Sequence, residues 1–318
     1  MNRRYSNYQL HAKIDWMSRF LNLDKYIDGE KNSLQEIWSY YKVNKWAYTH
    51  FHSHDGFMHF RISRNGAFSD EDVYFQPDTV ASFIKDGDNV LELGFGNGSN
   101  LLYLAHCFPK SHFTGKDLQR LERKDAPANV TTLQGDYSDL SQIADNSMDV
   151  AFAFETIVHN ADKEKIYREA YRVLKPGGVM IVYDYALSAG YSTFDAHTQK
   201  AVALISKGCA SAMIESLDEL NSHYTNSGFT IERNTDLSDE TLPDLRRLER
   251  KGAKIMNHPT VAKLMFALLP EQFVTNIIVG YLGYDSCKSG VITYQEWVLR
   301  KSEELGVRSG ELGVISEK

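Results

Sequence analysis

The sequence predicts an α/β protein: a doubly wound, seven-stranded sheet with an N-terminal helical cover and a helical lid inserted before the last strand. Three observations carry this. From residue 80 onward, short apolar runs alternate with helix-patterned stretches, as in a parallel sheet covered on both faces. The first run leads directly into a glycine-rich turn, "LGFGNGSN". The fourth, "MDVAFAF", ends abruptly on Glu155 and, four residues later, His159.

Residues 1–75 are rich in aromatics and lack clear strands. Within them Leu34, Ile37, Trp38 and Tyr41 are spaced as one helix face, and turns are expected at Asp55-Gly56 and Asn65-Gly66. This part reads as a cover and not as an independent domain. The core, 76–237, holds strands at "NVLEL" (89–93), "FTGKD" (113–117), "VTTLQGD" (130–136), "MDVAFAF" (148–154), "GVMIVYDY" (178–185) and "FTIERNTDL" (229–237). A helix over 162–175 is closed by Pro176-Gly177-Gly178. Residues 238–290 are too apolar for a solvated loop and too long for a turn. They read either as a lid over a greasy ligand or as helices packed on the sheet. Residues 291–318 supply the last strand, "VITYQEWVLRK", and a tail.

Of 318 residues, 42% are hydrophobic and 24% charged, ample for one large core. The net charge of −7 and the lack of any Lys/Arg block exclude a nucleic-acid backbone as partner. Cys107, Cys209 and Cys287 form no metal-site or disulfide spacing. With no signal-peptide pattern and no membrane-length apolar run, a cytoplasmic location is expected. A homo-oligomer stays open.

Gly94, Gly96 and Gly98 lie between a strand and the helical "NLLYLAH", where they let the backbone turn sharply and approach a ligand over the helix N-terminus. A dinucleotide loop of the G-x-G-x-x-G kind would place its third glycine at Ser99; here the spacing is G-x-G-x-G, with Glu92 inside the strand. This resembles the first motif of class I S-adenosylmethionine-dependent methyltransferases, which have a Rossmann-like fold. The resemblance implies that Asp117, at the end of the second strand, grips the ribose hydroxyls and that Asp136, in "LQGDY", accepts from the adenine amino group. It implies a wider cofactor set of Glu92, Gly94, Gly96, Gly98, Asn100, Leu118, Tyr137, Phe154 and Glu155, with S-adenosylhomocysteine as product. Only twelve residues separate Asp117 from the third strand, so the usual helix there shrinks to a turn, as in plant phenol O-methyltransferases.

A narrower resemblance is to the sterol C-24 methyltransferases, whose E-A-T-C-H-A-P motif and helix ending R-V-L-K-P-G-G match "ETIVHNAD" and "IYREAYRVLKPGG" here. "YYKVNKWAYTHFHSHDGFMHF" (40–60) is similar to that family's tyrosine-rich segment, and prenyl-diphosphate C-methyltransferases share the layout. The implied chemistry belongs to isoprenoid, terpene-type metabolism. An alkene attacks the sulfonium methyl, aromatic faces stabilise the resulting cation, and a carboxylate removes a proton. By this pattern Glu155 is the base, with His159 orienting it or relaying the proton; Tyr40, Tyr41, Tyr48, Phe51 and Phe57 face the acceptor. Arg61 and Arg64 either clamp a diphosphate, the one case in which Mg²⁺ is expected, or face water. His50, His52, His54 and His59 lack a completing carboxylate or Cys, so no metal site is expected. Three rivals remain: an O- or N-methyltransferase in which His159 or Glu155 deprotonates the acceptor, a non-catalytic binding protein on the same fold, and a protein whose cofactor only positions or polarises a substrate that rearranges without methylation.

Overall fold

The computed structural model describes residues 7–27, 39, 43 and 56–303. Tyr40, Tyr41, Tyr48 and Phe51, with His50, His52 and His54 and the expected helix around Leu34–Tyr41, lie outside the described residues apart from the backbone at position 39. The sheet has seven strands: β1 (Asn89–Leu93), β2 (His112–Asp117), β3 (Val130–Gln134), β4 (Met148–Phe154), β5 (Leu174–Leu187), β6 (Phe229–Asp236) and β7 (Ile292–Lys301). Their spatial order is β3-β2-β1-β4-β5-β7-β6. β1 to β5 run parallel and β7 inserts antiparallel between β5 and β6. The strand order reverses between β1 and β4, so a ligand crevice is expected outside their carboxyl ends.

Nine helices are described: α1 (Tyr8–Ser18), α2 (Phe75–Ala81), α3 (Ser99–Cys107), α4 (Lys163–Val173), α5 (Ala196–Gly208), α6 (Leu217–Asn226), α7 (Ser238–Met256), α8 (Pro259–Leu268) and α9 (Glu271–Lys288). Alternation along the strands serves two cores. Val90, Phe152, Phe154, Ile181 and Tyr183 bury against Leu101 and Leu104 of α3. Leu91, Leu93, Ala151, Ala153 and Val182 bury against α4 and α6 through Ile166, Ala170 and Tyr224. Each fully buried large side chain contributes ~1.5–3 kcal/mol.

Two departures from the sequence reading have local causes. β5 begins at Leu174, so the helix before it stops at Val173, and Pro176-Gly177-Gly178 lie within the strand. Partners jump from Met148↔Leu174 to Val150↔Val179. Pro176 cannot donate to a ladder and Gly177 sits at φ +76°, so the segment bulges out of the sheet and then rejoins it. The segment between β2 and β3, by contrast, carries no helix, as its length predicts.

The insertion between β6 and β7 comprises α7, α8 and α9, packed with α5 and α1 around a third core. Close approach is built in: a Cβ at Gly208 would stand 2.4 Å from Val279 Cγ2, and one at Gly252 3.0 Å from the Tyr281 nitrogen. α1 is pinned there by Lys13, whose Nζ meets Glu249 Oε1 at 3.0 Å and Asp285 Oδ2 at 2.6 Å. Trp16 Nε1 donates to the Met256 carbonyl at 2.9 Å.

Candidate active site

The turn after β1 is left-handed three times, with φ +75°, +52° and +78° at Gly94, Gly96 and Gly98. Side chains there would collide: a Cβ at Gly94 would lie 2.6 Å from Thr156 Cγ2, and one at Gly98 2.4 Å from Leu121 Cδ1. The loop is tied to the end of β2, because Gly94 N donates to the Lys116 carbonyl and Gly96 N to Asp117 Oδ2, both at 2.8 Å. Asp117 Oδ1 accepts from Gln119 N at 2.8 Å. Asp136, after β3, accepts from Ser138 N at 2.8 Å, and the neighbouring Tyr137 hydroxyl donates to the Thr156 carbonyl at 2.6 Å.

Glu155 leaves β4 at φ +54°, a left-handed conformation that costs a non-glycine residue ~1–3 kcal/mol and marks functional sites. It is held by Glu155 N donating to the Tyr183 carbonyl at 2.7 Å. Its Oε1 accepts from Phe60 N at 2.7 Å and from the Tyr294 hydroxyl at 2.8 Å; its Oε2 accepts from the Tyr185 hydroxyl at 2.9 Å. Tyr185 and Tyr294 are register partners across β5 and β7. With Phe60 they form a triangle of rings whose centroids lie 6.0, 6.1 and 6.1 Å apart.

Most of these groups wall one crevice of about 280 Å³, near the lower bound of small-molecule sites (~300–1,000 Å³), while Gly98, Phe60 and Tyr294 are not on its wall. Its walls include Gly94, Gly96, Asn100, Asp117, Leu118, Asp136, Tyr137, Phe154, Glu155 and His159. Among the described residues lining it there is no Lys or Arg. Burial drives the Glu155 carboxyl up to about 8 against its three hydrogen bonds, although part of its surface stays open to the crevice. Burial also raises Asp117, and pushes Asp184 behind the site to about 7. Asp184 accepts from Val158 N at 3.0 Å, steadying the turn after Glu155. His159 is lowered to about 4 by burial; its Nδ1 donates to the Ala210 carbonyl at 3.0 Å, which leaves the lone pair on Nε2.

The residues fit S-adenosylmethionine. A cradle without Cβ atoms approaches a ligand closely, two acids lie at successive strand ends, and a crevice walled by carboxylates, with no Lys or Arg among its described lining residues, favours a cation. Glu92 is fully buried beneath the loop and not on the crevice wall. Its Oε1 accepts from Asn100 Nδ2 at 3.4 Å, while its Oε2 has no hydrogen-bond partner among the described residues. Burial lifts it to about 8, and a nearby ammonium would favour its ionised form. Asn100 Oδ1 in turn meets His59 Nε2 at 3.0 Å, so Glu92 reaches the crevice through Asn100.

Other expected site residues sit differently. Arg61 is buried away from the crevice wall: its guanidinium pairs with Asp70 at 3.3 Å and Asp244 at 3.8 Å and stacks over Phe68. Arg64 lies over Phe75. Neither lines the crevice, and Arg61 is already claimed by the buried Asp244 and the exposed Asp70. Phe57 does line the crevice, wedged edge-on between His59 and Tyr74. Among the described residues the groups orienting Glu155 are Phe60, Tyr185 and Tyr294, not His159. No three His, Cys, Asp or Glu converge as a metal ion would need among the described residues, and no described helix is long and apolar enough to cross a membrane.

Residues 91–182, from β1 into β5, match the family model for a methyltransferase domain. That stretch is therefore a methyltransferase domain, and the class it supports is the S-adenosylmethionine-dependent methyltransferases. Within that class it is similar to the sterol 24-C-methyltransferase of Aspergillus fumigatus, 28% identical over 165 residues, covering 49% of this chain and 43% of that protein. A sterol 24-C-methyltransferase of Gibberella zeae is 32% identical over 165 residues with the same coverage. The chain thus spans less than half the length of these relatives, 43% in both. The fold is shared with the [4+2]-cyclase SpnF, at TM-score 0.65 and 18% identity over 86% of this chain and 98% of that one. It is shared too with geranyl diphosphate C-methyltransferase from Streptomyces coelicolor, at TM-score 0.58 and 14% identity over 82% and 97%.

Proposed function

We propose that the protein transfers the methyl group of S-adenosylmethionine to an alkene carbon of a neutral, lipophilic, isoprenoid-like acceptor. The observation that carries this is Glu155, on the crevice wall beside Tyr185 and held by the Tyr185 and Tyr294 hydroxyls and the Phe60 amide, where no described lining residue is Lys or Arg. When bound, the cofactor supplies an electrophilic methyl on a cationic sulfur. The chain's own part is to place it and to manage the charge left on the acceptor. A tertiary cation beside Phe60, Tyr185 and Tyr294 meets the negative faces of desolvated rings, each worth up to ~2 kcal/mol. Glu155 then takes the proton from the carbon next to that cation, restoring a double bond. Its raised pKa is no obstacle, since a positive charge at close range favours the carboxylate. The site's negative lining disfavours a diphosphate acceptor, and so the magnesium that one would bring.

The test is Glu155→Gln. Turnover of a prenyl alcohol or sterol alkene should fall by ~10²–10⁴, far more than any rise in the KM for S-adenosylmethionine; unchanged turnover would sink the proposal. A second reading has its own support in His159, a neutral imidazole with a lone pair on Nε2, suited to deprotonating a hydroxyl acceptor. It requires methyl ethers as products and loss of turnover in His159→Ala but not in Glu155→Gln.

A further inference from the structure

A second cavity lies directly behind the aromatic triangle, between β5 and β7 on one side and α5, α7 and α9 on the other. Tyr185 and Cys209 line both this cavity and the cofactor crevice, so the two spaces share a wall. Phe60 and Tyr294 complete the near side, and Val279 and Gly283 of α9 the far side. The space is about 40 Å³, room for about three water-sized groups. Its polar atoms are already engaged: Thr241 Oγ1 donates to the Ser238 carbonyl at 2.9 Å and Thr293 Oγ1 to the Ala186 carbonyl at 3.1 Å. A water there would find few partners, whereas hydrocarbon would lose nothing.

The second observation is Gly283. It lies in the interior of α9, where glycine costs helix stability relative to alanine. Nothing forces it: its φ is not left-handed, and a Cβ there would meet Leu245 Cδ2 at an ordinary 3.5 Å. This contrasts with Gly208 and Gly252, which close helix contacts require. What Gly283 preserves is the void.

We infer that this cavity is the subsite for the apolar end of the acceptor, a branched or linear hydrocarbon group of a few carbons beyond the reacting double bond. The inference rests on the proposed alkene methylation and adds where the acceptor's tail goes. Cys209, a half-buried thiol, serves as a small wall element between the tail and the cofactor. A tail seated there holds the double bond against the faces of Tyr185 and Tyr294 and within reach of Glu155, one tyrosine hydroxyl away.

The experiment is calorimetric titration of the full chain, loaded with S-adenosylhomocysteine, with geraniol. Gly283→Leu should weaken geraniol binding at least about tenfold, with S-adenosylhomocysteine affinity held within about twofold and no loss of melting temperature. Leu245→Ala, which enlarges the space, should shift preference from geraniol toward farnesol by about fivefold or more. Unchanged geraniol affinity in Gly283→Leu together with unchanged preference in Leu245→Ala would overturn the subsite. If binding follows the cavity but the transferred methyl is found on the alcohol oxygen, the subsite stands and alkene methylation falls. If carbon methylation proceeds undiminished in Gly283→Leu, the subsite falls and the methylation proposal survives.

Discussion

At the scale of single residues, the site is a set of carboxyls kept near neutrality by burial. Glu92 and Glu155 at about 8 and Asp184 at about 7 all lie above their ordinary range. A folded state that holds protons more tightly than the unfolded chain is favoured below the unfolded pKa and loses that advantage as pH rises through the folded one. Ligand-free protein should therefore melt at falling temperature between about pH 6.5 and 8.5, where His159, lowered to about 4, no longer titrates. A cationic cofactor reverses the balance by stabilising the carboxylates. Its binding near pH 7 should release protons, read from calorimetry in buffers of different ionisation heat; proton uptake would contradict this assignment. Glu155 and His159 were legible in the sequence because charged groups at the end of an apolar strand demand a reason. Tyr185 and Tyr294 were not, since a tyrosine in a strand ordinarily reads as packing and only the β5–β7 register brings these two to one carboxylate.

At the scale of elements, the glycine loop couples cofactor and base. Gly94 packs where its missing Cβ would strike Thr156, the neighbour of Glu155. Gly94→Ala combines a left-handed backbone, ~1–2 kcal/mol, with overpacking, ~1–3 kcal/mol. It should cost about 2–4 kcal/mol in denaturant unfolding and also displace Glu155, lowering kcat along with cofactor affinity. An effect on affinity alone would separate the two roles. The strands and the loop were readable because apolar runs bounded by turn residues are local signals. The bulge at Pro176–Gly178 was not, because "KPGG" after a helical pattern looks the same whether it ends a helix or kinks a strand. Arg61 misled for a related reason: its partner Asp244 lies far along the chain, on α7.

At the scale of the whole molecule, two layers divide the labour. The sheet and its carboxyl-end loops form the cofactor crevice, while α1, α5, α7 and α9 form the packed wall behind the proposed acceptor subsite. Lys13 ties that wall together through Glu249 and Asp285. Lys13→Met removes the cation paired with the largely buried Asp285 and leaves Glu249 to Arg246, and should destabilise by about 3 kcal/mol. Amide exchange in α9 should quicken, with S-adenosylmethionine affinity changed by less than about twofold. Equal loosening of β1 and the glycine loop would show the layers to be one unit. The central claim, methyl transfer to carbon at Glu155, is tested most directly with S-adenosylmethionine carrying a ¹³C methyl group and a set of prenyl alcohols and sterols. The account expects a new carbon-bound methyl resonance in an alkene product, lost in Glu155→Gln. Label on oxygen alone, or carbon methylation undiminished in that variant, would contradict it.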